Sequence, residues 1–166
     1  MRDTPLLFPP PTRTTVGASG LVLRHDRLLM VRQKRATGVR WEVPGGGQDA
    51  DESLEETVVR EIAEETAIEV LAAGMVCTYA SFRIHRGTAV IGAFYLAVTA
   101  DDDAEPVPQH DEGIVEATFV DPTTLPPEEV GPLSAAVLAR WWPHRNEPAT
   151  PFHVELWRDE QAYLAR

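Results

Sequence analysis

The stretch that decides the fold is Trp41–Ile68, WEVPGGGQDADESLEETVVREIAEETAI. A glycine triplet, Gly45, Gly46 and Gly47, opens an acidic loop that leads into a helix. Ser53 suits the N-cap, because its hydroxyl accepts from an orphan backbone N–H of the first turn, and Glu56 completes a capping box. Three carboxylates, Glu61, Glu64 and Glu65, crowd the last turns. At roughly 100° per residue, Glu64 and Glu65 lie about 60° and 40° either side of Glu61, so all three leave the helix on one side. Val58, Val59, Ile62 and Ala63 occupy another arc and can enter a core. Like charges at this spacing repel by a few tenths of a kcal/mol per pair, and the helix C-terminus disfavours anions. A local rule broken in this way calls for a positive partner that the helix itself does not supply. A hard divalent cation held by oxygens meets that need.

The spacing also resembles the Nudix box, G-x5-E-x7-R-E-U-x-E-E-x-G-U with U aliphatic. Here it reads Gly46, Glu52, Arg60, Glu61, Ile62, Glu64, Glu65 and Ile68, eight matching positions within 23 consecutive residues. Trp41-Glu42-Val43-Pro44-Gly45 is similar to the family's usual approach to the box. One fixed position departs: Ala67 stands where the family has glycine. A residue just past a helix commonly takes φ > 0, which costs alanine roughly 1 kcal/mol. That affects the helix exit and removes no ligand.

The resemblance implies an α+β fold: an α/β/α sandwich with a central mixed sheet and the box as a loop–helix–loop. It implies hydrolysis of a phosphoanhydride bond in a nucleoside diphosphate linked to another moiety X, with Mg²⁺ or Mn²⁺ as cofactor. Carried over residue by residue, Glu61, Glu64, Glu65 and the carbonyl of Gly45 are metal ligands, and Glu64 and Glu65 act in catalysis. Glu52 and Arg60 brace them, and Gly46 lies against substrate. The family often brings an acid from a later loop to the metal as ligand or general base. Glu112 is the first choice and Glu116 the second. A binding module without turnover and an isomerase of prenyl diphosphates are the competing readings. The intact carboxylates count against the first, and the absence of a second cysteine–acid pairing counts against the second. No submotif identifies X: Phe82-Arg83-Ile84 occupies the region where ADP-ribose hydrolases often carry a proline, and the extended motif of NADH hydrolases is missing.

Composition sets bounds around this. At 166 residues and 43% hydrophobic, the chain supports one domain with a core. A net charge of −11 argues against a nucleic-acid polymer or an anionic membrane as partner. Nine acids against Arg60 alone between Asp49 and Glu69 supply most of it, a clustering that favours a metal site over a dispersed solvated face. The single cysteine, Cys77, lies in an apolar run, which points to a core residue and a cytoplasmic setting. MRDTPLLFPPP has no apolar run long enough for a signal peptide or span.

Residues 1–13 read as a proline-rich arm, 14–145 as the Nudix-like domain and 146–166 as an extension packed on the domain or on a partner subunit. The arm and the extension are the segments a homodimer would use. TTVGASGLVLRHDRLLMVRQK reads as two strands about a turn at His25-Asp26-Arg27. Arg32 to Arg40 carries four cations, Arg32, Lys34, Arg35 and Arg40, and Arg32 is chosen as the substrate-phosphate ligand, at a strand end facing the box. VLAAGMVCTYASFRI and TAVIGAFYLAVTA read as two long strands joined at His85-Arg86-Gly87, with His85 and Arg86 exposed at the tip. Tyr79, Phe82, Phe94 and Tyr95 read as sheet or core residues. Asp101–Pro106 begins like a calcium loop and fails at Pro106. The glycine triplet lacks the Lys-Ser/Thr of a P-loop, and Gly45-x-Gly47-x-x-Ala50 is a poor dinucleotide motif. IVEATFV reads as a strand, LSAAVLARWW as a helix ended by Pro143, and the alternation of Phe152, Val154 and Leu156 as an added strand followed by a helix, or as a dimer or pocket contact.

Overall fold

Capping starts the helix at the predicted place. Helix α1 is Leu54–Thr66, and Ser53 caps it: Glu56 N–H donates to Ser53 Oγ (3.2 Å) while Ser53 N–H donates to Glu56 Oε2 (2.7 Å). The helix leaves through Ala67 at φ 57°, whose N–H donates to Ala63 O (2.9 Å). The computed structural model describes residues 11–35, 38–148, 150–158 and 163–165.

Nine strands surround α1 in sequence: β1 (Arg13–Arg24), β2 (Arg27–Arg35), β3 (Gly38–Glu42), β4 (Gly45–Gly47), β5 (Val70–Arg83), β6 (Thr88–Thr99), β7 (Ile114–Val120), β8 (Phe152–Arg158) and β9 (Tyr163–Ala165). The sheet order is β3-β2-β1-β6-β5-β8-β9, with β4 paired to β1 and β7 to β2. β1 runs parallel to β6, and β5 parallel to β8; the remaining ladders are antiparallel, so the sheet is mixed. A second helix, α2 (Pro132–Trp141), lies on the opposite face from α1.

Strand alternation divides the core into two main clusters, with a small third of Val31, Ile114 and Ala117. Ala18, Val22, Ala93, Tyr95 and Ala97 face α1 and meet its Val58 and Ile62. Leu21, Cys77, Tyr79 and Phe94 face the other way, against Val137, Leu138, Trp141 and Trp142. Gly20 sets the depth of α1: a Cβ there would lie 2.9 Å from Val58 Cγ1 and would strike Ile62. The α/β/α sandwich is therefore the observed fold, and Cys77 and both tryptophans are core residues.

Three expectations are corrected in detail. The glycine triplet is not a tight loop; Gly45–Gly47 is a strand paired to β1, Ala18 opposite Gly46. α2 ends at Trp141, and Pro143 sits in a following 3₁₀ turn, where its missing N–H is harmless. The chain's end carries strand β9 at Tyr163–Ala165 in place of a helix there, because these residues complete a ladder with β8. Strand β1 begins at Arg13; residues 1–10 of the expected arm lie outside the described residues. β8 adds to the sheet beside β5.

Ala67→Gly relieves the left-handed strain without touching a site residue. We expect a gain of about 1 kcal/mol or less, since glycine also loses more chain entropy, read as a higher thermal midpoint at unchanged activity.

Candidate active site

Arg60 ties two of the three α1 acids, Glu61 and Glu64, to one guanidinium. Its Nε donates to Glu52 Oε1 (2.6 Å) and its Nη2 to Glu52 Oε2 (2.9 Å) and Gly47 O (2.8 Å). Its Nη1 donates to Glu61 Oε1 (2.8 Å) and Glu64 Oε2 (3.0 Å). All five guanidinium donors are therefore used. The paired fork to Glu52 holds that carboxyl down at about 2. Glu52 is itself fixed by the loop: Asp49 N–H and Thr57 Oγ1 both donate to its Oε2, at 3.2 and 3.1 Å.

Glu65 is held separately. It is 4% exposed. Gly45 N–H donates to its Oε2 (2.9 Å) and Gln33 Nε2 to its Oε1 (3.4 Å). Burial pushes its carboxyl up to about 8, helped by the charges of Glu61 and Glu112 and opposed by Gly45 N–H and Arg35. Burial also raises Glu61, whose carboxylate lies where a side chain on Gly46 would begin. Glycine at 46 is thus required by a close approach. Glu64 is half-exposed.

Glu112 reaches this edge through backbone chemistry. Val107 N–H donates to Thr66 O (2.8 Å) and Gln109 N–H to Glu65 O (3.2 Å), satisfying carbonyls that the end of α1 leaves open. The 3₁₀ turn His110–Glu112 follows, and Glu112 O accepts from Gln33 Nε2 (3.4 Å). Glu116 lies elsewhere: it is exposed and stands opposite Arg32 on the β2–β7 ladder.

Arg32 does not face the box. Its Nη2 donates to Glu129 Oε2 (3.3 Å), and its guanidinium lies over Trp41, 5.9 Å from the ring centroid. The period of two in β2 sends Gln33 to the α1 side and Arg32 to the other. Gln33 was missed because its role depends on strand phase and on which residue β7 places opposite.

The carboxylates suit a hard cation in chemistry, being oxygen donors only, two of them raised by burial and served by a single arginine. As placed, Glu61 Oε1 and Glu64 Oε2 accept from Arg60, and both Glu65 oxygens accept from Gly45 and Gln33. Among the described residues, no group of three acid, histidine or cysteine side chains is set to clasp an ion.

On the other side of β4 opens a cleft of about 440 Å³. The glycine strand is one wall, Tyr79 and Phe94 lie within it, and Arg35, Arg40, Arg83 and Arg86 line it. Arg83, at the end of its strand, and Arg86, exposed at the turn as expected, both line the rim of this cleft. Glu42 also lines it, as a half-buried acid whose Oε2 accepts from Ser134 Oγ (2.7 Å). Ser134 Oγ in turn accepts from Val43 N–H (3.0 Å). Burial raises the Glu42 carboxyl, against the pull of Ser134, Arg35 and Arg40.

The described residues contain no helix long and apolar enough to cross a membrane. A NUDIX domain model matches residues 12–141. The chain belongs to the NUDIX family. Among curated relatives, a MutT-like protein of Streptomyces ambofaciens is 46% identical over 61 residues, covering 36% of this chain and 38% of that protein. The matched stretch thus spans well under half of that relative's length. Among solved structures, a NUDIX hydrolase from Nitrosomonas europaea superposes with a TM-score of 0.70 at 17% identity, covering 89% of this chain and 81% of the other. A MutT NUDIX hydrolase from Burkholderia pseudomallei gives 0.68 at 26% identity, covering 76% and 97%.

Glu42→Gln keeps an acceptor for Ser134 and removes a half-buried charge. The folded carboxyl titrates above its unfolded value of 4.5, so ionising it costs stability as pH rises past that value. We expect the variant to melt higher than the parent at pH 8, with the gap closing as pH falls towards 4.5, read by calorimetry across that range.

Proposed function

We propose that the chain hydrolyses a phosphoanhydride bond in a nucleoside diphosphate linked to another moiety, with Mg²⁺ or Mn²⁺ bound at the box. The observation that carries this reading is the joint position of the α1 acids and the cationic cleft, which share Gly45–Gly47 as a wall. Family membership supports the same class of reaction, and a putative 8-oxo-dGTP diphosphatase of Bacillus subtilis, 34% identical over 65 residues, carries it in its name.

Glu61, Glu64 and Glu65, with the Gly45 carbonyl, would hold the metal, which when bound neutralises phosphate charge and lowers the pKa of water. Glu52 and Arg60 act as positioning residues: the fork between them fixes the guanidinium that aligns Glu61 and Glu64. Gln33 orients Glu65 from the opposite side, and its second bond to the Glu112 carbonyl holds that loop against the box. Glu112 is the residue proposed to take a proton from the attacking water, being a loop acid whose charge is felt at both Glu61 and Glu65. Arg35 supplies positive charge near Glu65 and Glu42 alike, at the junction of acids and cleft, where a substrate phosphate would cross. Gly46 offers bare backbone at the same crossing. An isomerase role for the cysteine is disfavoured, since Cys77 is buried in the core with its thiol pushed up to about 11 by burial.

Phosphate or nucleoside monophosphate release should require Mg²⁺ or Mn²⁺ and stop with EDTA across a set of nucleoside triphosphates, nucleotide sugars and dinucleotides. Glu65→Gln should cost about a hundredfold or more in kcat with an unchanged circular dichroism spectrum. Near-normal turnover in that folded variant defeats the assigned role. Glu52→Gln, which loosens Arg60 and touches no proposed metal ligand, should cost about 10–100-fold.

A further inference from the structure

Several arginines among the described residues are tied to protein acceptors. Arg24 donates to Asp102 O and Ala104 O, Arg32 to Glu129, Arg60 to three glutamates, Arg140 to His153 O and Arg145 to Trp142 O. The guanidiniums of Arg35, Arg83 and Arg86 make no hydrogen bond or ion pair with any described residue, and all three line the one cleft. In a chain of net charge −11, three such cations on one concavity make a local zone of positive charge.

Their spacing assigns them different tasks. Arg35 ends β2, beside the box. Arg83 ends β5, and Arg86 lies in the 3₁₀ turn that follows. Gly46 stands opposite Ala18, Ala18 opposite Ala93, and Ala93 opposite Thr78, which places β5 three ladders away from the glycine wall. Three strand spacings are about 14 Å, and the five residues from Thr78 to Arg83 add about 17 Å along the strand, so Gly46 and Arg83 are about 20 Å apart in backbone position. One phosphate cannot touch the box acids and this pair together. Ser81, on the same face of β5 two residues before Arg83, lines the cleft and adds a hydroxyl donor.

We propose that the far end of the cleft is a second anion subsite, where Arg83 and Arg86 take a phosphomonoester that the substrate carries remote from its scissile diphosphate. This rests on the hydrolase reading above and narrows its substrate class. Two guanidiniums match the nearly dianionic charge and the three acceptor oxygens of a phosphomonoester, whereas a carboxylate matches only one of them and a neutral sugar or base neither.

The test uses matched pairs differing by one phosphomonoester: ADP-ribose 2′-phosphate against ADP-ribose, and 3′-phosphoadenosine 5′-diphosphate against ADP. For the full chain, kcat/KM is measured with Mg²⁺, and Kd by titration calorimetry with EDTA so that turnover is off. The phosphorylated member of at least one pair should be favoured by about tenfold or more in either readout. The ratio should fall to near one in Arg83→Ala/Arg86→Ala, with an unchanged circular dichroism spectrum. It should persist in Arg27→Ala, which removes one exposed positive charge away from the cleft. A ratio near one for the parent in both pairs and both readouts overturns the proposal, as does a ratio that survives loss of Arg83 and Arg86. Discrimination in Kd without any turnover keeps the subsite and removes the hydrolase reading; turnover without discrimination does the reverse.

Discussion

One guanidinium holds the box together. Helix α1 gathers acids that repel one another at the end where the backbone also presents negative dipole, and Arg60 is the one cation within it. Its fork closes on Glu52, its remaining donors reach Glu61, Glu64 and Gly47 O, and no donor is left over. The loop before the helix and the acids at its end are thereby fixed to one rigid group. Glu65 falls outside that reach: burial pushes its carboxyl up to about 8, and Gly45 N–H opposes that rise while Gln33 Nε2 bonds its other oxygen. The negative charge that Arg60 cannot neutralise is the physical ground for a divalent cation at this edge.

The glycine strand makes this edge useful. Because Gly45–Gly47 pairs with β1 as a strand, its backbone is a thin partition, with the Glu61 carboxylate pressed against Gly46 on one side and the cleft on the other. A side chain at 46 would displace Glu61. The partition lets one extended ligand lie against both the acids and the arginines. Core packing keeps the two regions apart, since the sheet face towards α1 and the face towards α2 have separate apolar clusters.

Electrostatics then sorts the cleft from its surroundings. Glu42 at its inner side is held in place by Ser134 and raised by burial, while Arg35 and Arg40 oppose that rise. Arginines at the mouth stay uncommitted. A strongly acidic protein thus offers an anionic ligand a local zone of positive charge beside the acids proposed to do chemistry on it.

Local chemistry was legible in the sequence. The Ser53–Glu56 capping box, the left-handed exit at Ala67 and the long β5–β6 hairpin each follow from residues within a few positions of one another, where helix and strand periods are fixed by the backbone. Sheet register lay beyond that reach. Whether Arg32 or Gln33 faces the box depends on the phase of β2, which is set by its ladders with β3 and β7 some ten and eighty residues away. Likewise Arg35, Arg83 and Arg86 meet at one cleft only because β1 and β6 lie between their strands, and Glu112 reaches the acids only because its loop satisfies the open carbonyls of α1. The sequence by itself determined the helix, its acids and their demand for positive charge; only the tertiary structure decided which distant side chains answer it, because strand pairing is a contact between segments that no local period encodes.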